Sequence, residues 1–244
     1  CMIKRFLIIF TLIGILLLGY FSIKPSPPNF ETYQAGQARK TAFFNYFTPL
    51  IIKQNHTIKQ NRTKLQYWQQ NRDDIGWWDA RKIHKLAEKY RVKNFSIEKD
   101  VTWQQLLRRV NVIPPSLILA QAANESAWGT SRFAKQGNNY FGQWCFTQGC
   151  GLVPKERGSG KVHEVAAFES PEQSLESYMN NLNSHPAYKK LRDIRSQRRK
   201  EKLPLSGKAL AAGLNNYSER GEEYITELRD MMNFNKLAKY DEGL

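Results

Sequence analysis

The stretch that decides the fold is Pro114 to Gly129, with the sequence PPSLILAQAANESAWG. Two prolines open it, and proline suits the first turn of a helix because the first backbone N–H groups have no intrahelical partner there. The residues that follow are apolar on every side and include small alanines, which is typical of a helix buried on most of its faces. The sequence therefore predicts a buried helix that ends at Glu125.

Glu125 is the residue of this helix with chemical potential. Leu117, Gln121 and Glu125 are spaced i, i+4 and i+8, so they share one stripe of the helix, and Trp128 follows shortly after. A carboxyl group on an apolar support has its charged form disfavoured, which raises its pKa towards the range useful to a general acid. We expect Glu125 to be a catalytic acid; the alternative is an exposed residue at a helix end.

The next segment, Gly137 to Gly142 (GNNYFG), combines a turn with two amides and two aromatic rings. Amides can bind sugar hydroxyls and aromatic faces can stack on sugar C–H groups. A purely structural loop is the alternative interpretation.

Cys145 and Cys150 follow, five positions apart around a glycine turn, with β-prone pieces at 151–154 and 161–168. In an exported chain this spacing is most simply a small disulfide. Zinc is the competing interpretation, but it needs four ligands and only His163 is near, so we expect no metal site.

Most of the remaining chain has helical spacing of its apolar residues. The pattern covers 38–71, 79–90 and 102–110 on the amino-terminal side. Ser170-Pro171-Glu172-Gln173 has the form of a capping box that opens a further helix, and 222–233 is the last amphipathic segment. The fold class expected from these patterns is α+β and mostly helical.

The chain of 244 residues has 41% apolar residues, which is typical of a globular protein. Its net charge of +15 indicates an anionic partner or surface. Nine basic and two acidic residues lie between Lys189 and Lys208. This stretch lacks interleaved aromatics and any recognisable nucleic-acid module, so nucleic acid is the least supported partner. A solvated helix face or attraction to an anionic glycan fits better.

Phe6 to Ile23 contains eighteen residues without a charge, about 27 Å as a helix, enough to span a bilayer core. A cleaved signal peptide would have a shorter apolar region and a small-residue cleavage site, so an uncleaved anchor is favoured. We therefore expect a transmembrane signal anchor at 1–23 and a tether at 24–38. The protein would be single-pass in the inner membrane, with its catalytic domain on the periplasmic side.

Three blocks of residues together resemble a known family. Ile118 to Gly129, then Asn139 to Gly142, and finally Tyr217 are similar to the bacterial glucosaminidases that hydrolyse peptidoglycan. The similarity extends through 110–117 and 145–168 to membrane-anchored Bax-type proteins. It implies a lysozyme-like fold with a small β lobe, a helical amino-terminal part at 39–110 and a glucosaminidase domain at 111–240.

The resemblance also implies an activity and its residues. The expected reaction is endo-β-N-acetylglucosaminidase cleavage of the glycan strand between N-acetylglucosamine and N-acetylmuramic acid, with Glu125 as general acid and no cofactor. The second carboxylate would be Glu156, or alternatively Glu164. The sugar would contact a set of cleft residues, namely Asn139, Tyr140, Phe141, Trp128 and Tyr217.

Two other functions stay open at this point. A lytic transglycosylase or muramidase also uses one Glu before a Ser, but usually carries a Gly-Leu-Met-Gln block that this chain lacks. A non-catalytic peptidoglycan-binding scaffold would have the cleft without a poised Glu125. The oligomeric state is not indicated by the sequence.

Overall fold

The structure is a computed structural model that describes residues 26–155, 160 and 162–243. The predicted membrane span at Phe6–Ile23 and the candidate carboxylate Glu156 lie outside the described residues. Among the helices that are described, none has both the length and the apolar content needed to cross a membrane.

The described chain is mostly helical with one small sheet, as expected. The α-helices are α1 Gln37–Gln70, α2 Trp77–Lys89, α3 Asp100–Arg109, α4 Pro115–Glu125, α5 Arg132–Gly137, α6 Pro171–Ser184, α7 Lys189–Lys200, α8 Gly207–Ala211 and α9 Glu222–Phe234. Short 3-10 helices lie at Phe30–Thr32, Arg72–Asp74, Pro186–Tyr188 and Leu237–Asp241. The strands are β1 Trp144–Cys145, β2 Gly151–Leu152 and β3 Glu164–Ala166.

The sheet is antiparallel, with β3 in the middle between β1 and β2. Trp144 pairs with Val165, and Gly151 pairs with Ala166. Each strand is only two or three residues long. The sheet therefore forms a small lobe beside the helices, between α5 and α6 in the chain.

Helix α4 is the central element of the core. Leu117 to Ala120 have no solvent exposure, and the helix contacts α1, α8, α9 and the carboxyl-terminal 3-10 turn. Pro114 precedes the helix and supplies no side-chain cap. Asp241 fills this role from the far end of the chain, since its carboxylate accepts hydrogen bonds from the N–H of Ser116 at 2.9 Å and from its hydroxyl at 2.6 Å.

Helix α1 has 34 residues, about 51 Å at the rise of an α-helix, and packs against one side of the shorter α4. Its phenylalanines Phe43, Phe44 and Phe47 are buried, and they belong to the same hydrophobic core as α4 and α9. The predicted amino-terminal part and the predicted catalytic domain thus pack into one core. The expected boundary between 110 and 111 remains a prediction.

The capping box at the start of α6 forms in a slightly altered way. The hydroxyl of Ser170 accepts a hydrogen bond from the N–H of Gln173 at 3.3 Å. The side chain of Gln173 reaches back one residue further than in the standard motif and accepts from the N–H of Glu169 at 2.7 Å.

Candidate active site

The turn after α4 fixes the direction in which Glu125 points. Ala127, Trp128 and Gly129 have successive φ values of 48°, 59° and 79°, a left-handed run that is rare for residues other than glycine. Ser126 holds this turn, because its hydroxyl donates to the carbonyl of Ala122 at 2.6 Å and accepts from the N–H of Gly129 at 2.8 Å. A Cβ on Gly129 would lie 2.2 Å from the ring of Phe30, so glycine is required there for packing as well.

Glu125 is half-buried and hydrogen-bonded from α9. The hydroxyl of Tyr224 donates to its Oε1 at 2.8 Å, and the amide of Gln121 donates to the Tyr224 hydroxyl at 3.0 Å. The hydroxyl of Tyr178 in turn donates to the side-chain oxygen of Gln121. The three side chains form a buried chain in which every donor is oriented towards the carboxylate of Glu125.

Burial raises the pKa of Glu125 above the usual value for a glutamate. Hydrogen bonds from Tyr224 and Asn124 oppose this shift by stabilising the charged form, and the negative charge of Glu227 adds to it. The net shift is upward, so the carboxyl group keeps its proton to a higher pH than an exposed glutamate would. This is the property expected of a general acid.

The glycine-rich loop after α5 brings backbone close to the other carboxylate oxygen. Gly142 has φ +59°, and a Cβ there would lie 3.2 Å from Oε2 of Glu125. Asn139 organises the loop, because its side chain donates to the carbonyls of Gln143 and Ala166, each at 2.8 Å. Asn139 is 1% exposed, so its amide is used within the protein.

The two aromatic rings of this loop also face inward. Tyr140 is 2% exposed and packs edge-on against Phe47 at 4.8 Å, while Phe141 is 1% exposed and stacks on Tyr178 at 4.0 Å. The expectation that Asn139, Tyr140 and Phe141 present side chains to a sugar is therefore corrected. Because α1 and α6 cover them, these residues support the wall behind Glu125.

Tyr217 lies one ring further from Glu125 than expected. Its hydroxyl donates to the carbonyl of Phe141 at 2.6 Å, and its ring stacks on that of Tyr224 at 5.5 Å and 4°. The direct hydrogen bond to Glu125 comes from Tyr224 instead. As a whole residue Tyr217 is half-buried, and sugar contact by its ring stays a prediction.

Trp128 is half-buried and packs edge-on against Phe43 and Phe44 of α1. The amine of Lys40 lies 5.1 Å from the centre of its ring. Packing against α1 is therefore one established role of this tryptophan, and sugar contact stays a prediction.

Of the two candidate second carboxylates, only Glu164 lies within the described residues. Glu164 is 4% exposed and accepts hydrogen bonds from the backbone N–H groups of Gly149 at 3.0 Å and Gly151 at 2.8 Å. It stabilises the turn between β1 and β2. Glu156 lies outside the described residues. Glu227 is half-exposed on α9, one turn after Tyr224, and is ion-paired with Arg220 at 2.8 Å.

The predicted disulfide is present, joining Cys145 to Cys150 across the turn that Glu164 holds. These three residues form a group in the described part of the chain whose atoms lie within 4.8 Å of one another, as in a metal site. Because the two sulfurs are bonded to each other, neither is a thiolate ligand for zinc.

Two residues of the site were not found from the sequence. Gln121 shares a stripe with Glu125, but the sequence indicates no chemical role for it, and Tyr224 lies within the last amphipathic segment. The i, i+4 spacing of Gln121 and Glu125 is the signal that could have indicated the first. Tyr224 is 99 residues from Glu125, so local spacing does not show that the two side chains meet.

Comparisons with known proteins agree on a family. Residues 101–237 match the family described as "Glucosaminidase: Mannosyl-glycoprotein endo-beta-N-acetylglucosaminidase". The chain is also similar to Protein bax of Escherichia coli (strain K12), with 34% identity over 214 residues, covering 86% of this chain and 75% of that protein.

Among solved structures, the chain is similar to the catalytic domain of the autolysin Auto from Listeria monocytogenes. The TM-score is 0.46 at 18% sequence identity, and the match covers 86% of this chain and 92% of the other.

Proposed function

The chain belongs to the glucosaminidase family and resembles its Bax-type members, and from that premise we propose that it is a peptidoglycan hydrolase. The bond cleaved is the β-glycosidic bond between N-acetylglucosamine and N-acetylmuramic acid, within the glycan strand. The family description names a mannosyl-glycoprotein endo-β-N-acetylglucosaminidase, which supports hydrolysis of a glycosidic bond of N-acetylglucosamine.

The observation that carries the proposal is the environment of Glu125. This carboxyl group is half-buried at the end of α4, its pKa is raised by burial, and the Gln121–Tyr224 chain fixes its Oε1. A positioned acid with a raised pKa can protonate the glycosidic oxygen as the bond breaks and the sugar acquires oxocarbenium character.

The second chemical role has three candidate solutions. A carboxylate about 5 Å from Glu125 would act as a nucleophile, and one at about 6.5 to 9.5 Å would leave room for an attacking water. Glu156 remains the proposed residue, whereas Glu164 is already engaged by two backbone N–H groups. The N-acetyl group of the substrate is the third solution and requires no second carboxylate.

Glu125→Gln is the direct test of the acid. This substitution keeps the size and the hydrogen bond from Tyr224 but removes the proton that is transferred, so clearing of purified peptidoglycan in a zymogram should fall by about 10² to 10⁴. Glu201→Gln is the matched control, because Glu201 is exposed and its carboxylate accepts a hydrogen bond from the side chain of Gln197. We expect that control to clear at the wild-type level.

The products then distinguish the alternatives. A new reducing end on N-acetylglucosamine is the expected result, and an anhydro-sugar would show a lytic transglycosylase. Equal clearing by Glu125→Gln and wild type would remove Glu125 as the acid. No clearing by the folded wild-type chain on any wall preparation would leave a glycan-binding scaffold.

For localisation, the apolar segment 6–23 supports a single-pass protein of the inner membrane with its domain on the periplasmic side. The disulfide is consistent with an oxidising compartment.

A further inference from the structure

A cavity rich in arginine lies between α1, α3 and α7, and we call it the arginine cavity. Its volume is about 500 Å³, within the usual range for small-molecule sites. Six cationic residues line it: Arg62, Arg108, Arg192, Arg195, Arg199 and Lys200. Among the residues that the structure describes, no aspartate or glutamate contributes to this lining, although one of the six cations, Arg108, is ion-paired with Asp193 beside it.

The arginine cavity is separate from the candidate active site. A neighbouring cavity of about 470 Å³ shares Arg62, Asn111 and Arg199 with it and reaches Pro115, the first residue of α4. Glu125 is ten residues further along that helix, about 15 Å along its axis. The two sites therefore lie towards opposite ends of the same buried helix.

Two of the arginines that line the arginine cavity, Arg192 and Arg195, are buried. Arg195 is 0% exposed and donates to the carbonyl of Val112 at 2.9 Å and to the side-chain oxygen of Asn183 at 2.6 Å. Arg192 is 4% exposed and donates to the carbonyls of Leu182 and His185 at 3.0 and 2.8 Å. These acceptors are all neutral, although buried charges in proteins are usually paired with an opposite charge.

The rim is cationic as well. Arg62 donates to the carbonyls of Leu107 and Val110, and Arg199 donates to the side-chain oxygen of Asn111 at 2.8 Å. The acceptors around the end of α3 carry at most the half negative charge of a helix carboxyl terminus. Half a charge does not balance the four guanidinium groups of Arg62, Arg192, Arg195 and Arg199.

Burial and mutual repulsion both disfavour the charged forms of these arginines. Burial, reinforced by neighbouring arginines, lowers the pKa of Arg62 and of Arg192 to about 10 each. The pKa of Arg195 is lowered well below its usual value for the same reasons. An anion in the cavity would relieve this repulsion and restore the preference for the charged form.

We propose that the arginine cavity binds a small soluble phosphate anion with two or more negative charges, of the pyrophosphate or phosphomonoester class. Guanidinium groups match phosphate oxygens in a bidentate geometry. Several cations converging on one cavity favour a multiply charged ligand over a single carboxylate. Anion binding at this cavity does not require the hydrolase activity, so the two proposals are tested independently.

The test is isothermal titration of inorganic pyrophosphate into the full chain in nonionic detergent at about 0.15 M salt, where unspecific surface attraction is largely screened. Saturable binding with one site per chain is expected. Arg199→Gln and Lys200→Gln alter the exposed rim, and each should weaken binding, the former by about tenfold for one lost charged hydrogen bond. Thermal melting of each variant verifies that it is folded.

Arg198→Gln is the matched control. It removes one arginine from the same helix, but Arg198 donates to the carbonyl of Pro204 and does not line the arginine cavity. Less than a twofold change in affinity is expected for it. The proposal is overturned if wild type shows no saturable binding, if Arg198→Gln weakens binding as much as Arg199→Gln, or if citrate binds as tightly as pyrophosphate.

Discussion

At the scale of single residues, two side chains of α9 shift the pKa of Glu125 in opposite directions. Tyr224 donates a hydrogen bond to its carboxylate and lowers its pKa, whereas the negative charge of Glu227 raises it. Both residues lie on α9, three positions apart. Their removal should therefore shift the activity profile in opposite directions.

The measurement is kcat/KM against pH for Tyr224→Phe and Glu227→Gln. Loss of the Tyr224 hydroxyl removes stabilisation of the charged carboxylate, so the pKa of Glu125 rises. The alkaline limb of the kcat/KM profile should therefore shift to higher pH by about one pH unit. Loss of the Glu227 charge lowers the pKa of Glu125, so the same limb moves to lower pH. Shifts in the same direction in both variants would contradict this account, and a merely structural effect would lower the rate without moving the limb.

At the scale of elements, Asn55 joins α1 to the segment that leads into α4. Its amide donates to the carbonyl of Ile113 at 2.8 Å, and its oxygen accepts from the N–H of Ile113 at 3.1 Å. Asn55 is 4% exposed. The side chain thus satisfies both backbone groups of a buried residue in the way a neighbouring strand would.

Asn55→Leu should lower the free energy of unfolding by about 2 kcal/mol, because both backbone groups of Ile113 lose their partners in a buried site. Urea unfolding followed by circular dichroism measures this. Thr57→Ala, on an exposed position of the same helix, is the control and should change stability by less than about 0.5 kcal/mol. An equal loss in the two variants would contradict the role of Asn55.

The elements themselves could largely be predicted from local pattern. The prolines and alanines of 114–125 indicate α4, and the spacing of apolar residues over 38–71 indicates α1, because both signals are contained in the segment that folds. Contacts between distant segments could not. Asp241 caps α4 from 125 residues away, and no local signal reports that. The sequence predicts that Tyr140 and Phe141 are exposed to a sugar, because it does not show that α1 and α6 cover them.

At the scale of the whole molecule, the amino-terminal segment is fixed close to the candidate active site. Phe30 is 1% exposed, packs on Phe43 at 5.2 Å and touches Gly129, four residues after Glu125. Between the end of the proposed anchor at Ile23 and Phe30 an extended chain spans about 25 Å at most. The proposed anchor would therefore hold the cleft near the membrane surface.

The proposed localisation predicts three results. The full chain should remain in the membrane fraction after alkaline carbonate extraction, and protease should digest its folded part only when the periplasm is opened. A chain starting at residue 26 should be released by the same extraction while keeping the activity on soluble glycan. Release of the full chain by carbonate would contradict an uncleaved anchor.

The direction of the hydrogen bonds that lead from Tyr178 to Glu125 determines which carboxyl oxygen holds the acidic proton. Oε1 of Glu125 already accepts a hydrogen bond from the hydroxyl of Tyr224. A neutral Glu125 therefore carries its own proton on Oε2, the oxygen beside Gly142. In the proposed reaction that proton passes from Oε2 to the glycosidic oxygen. The scissile bond must then lie within reach of Oε2, on the side of the glycine loop.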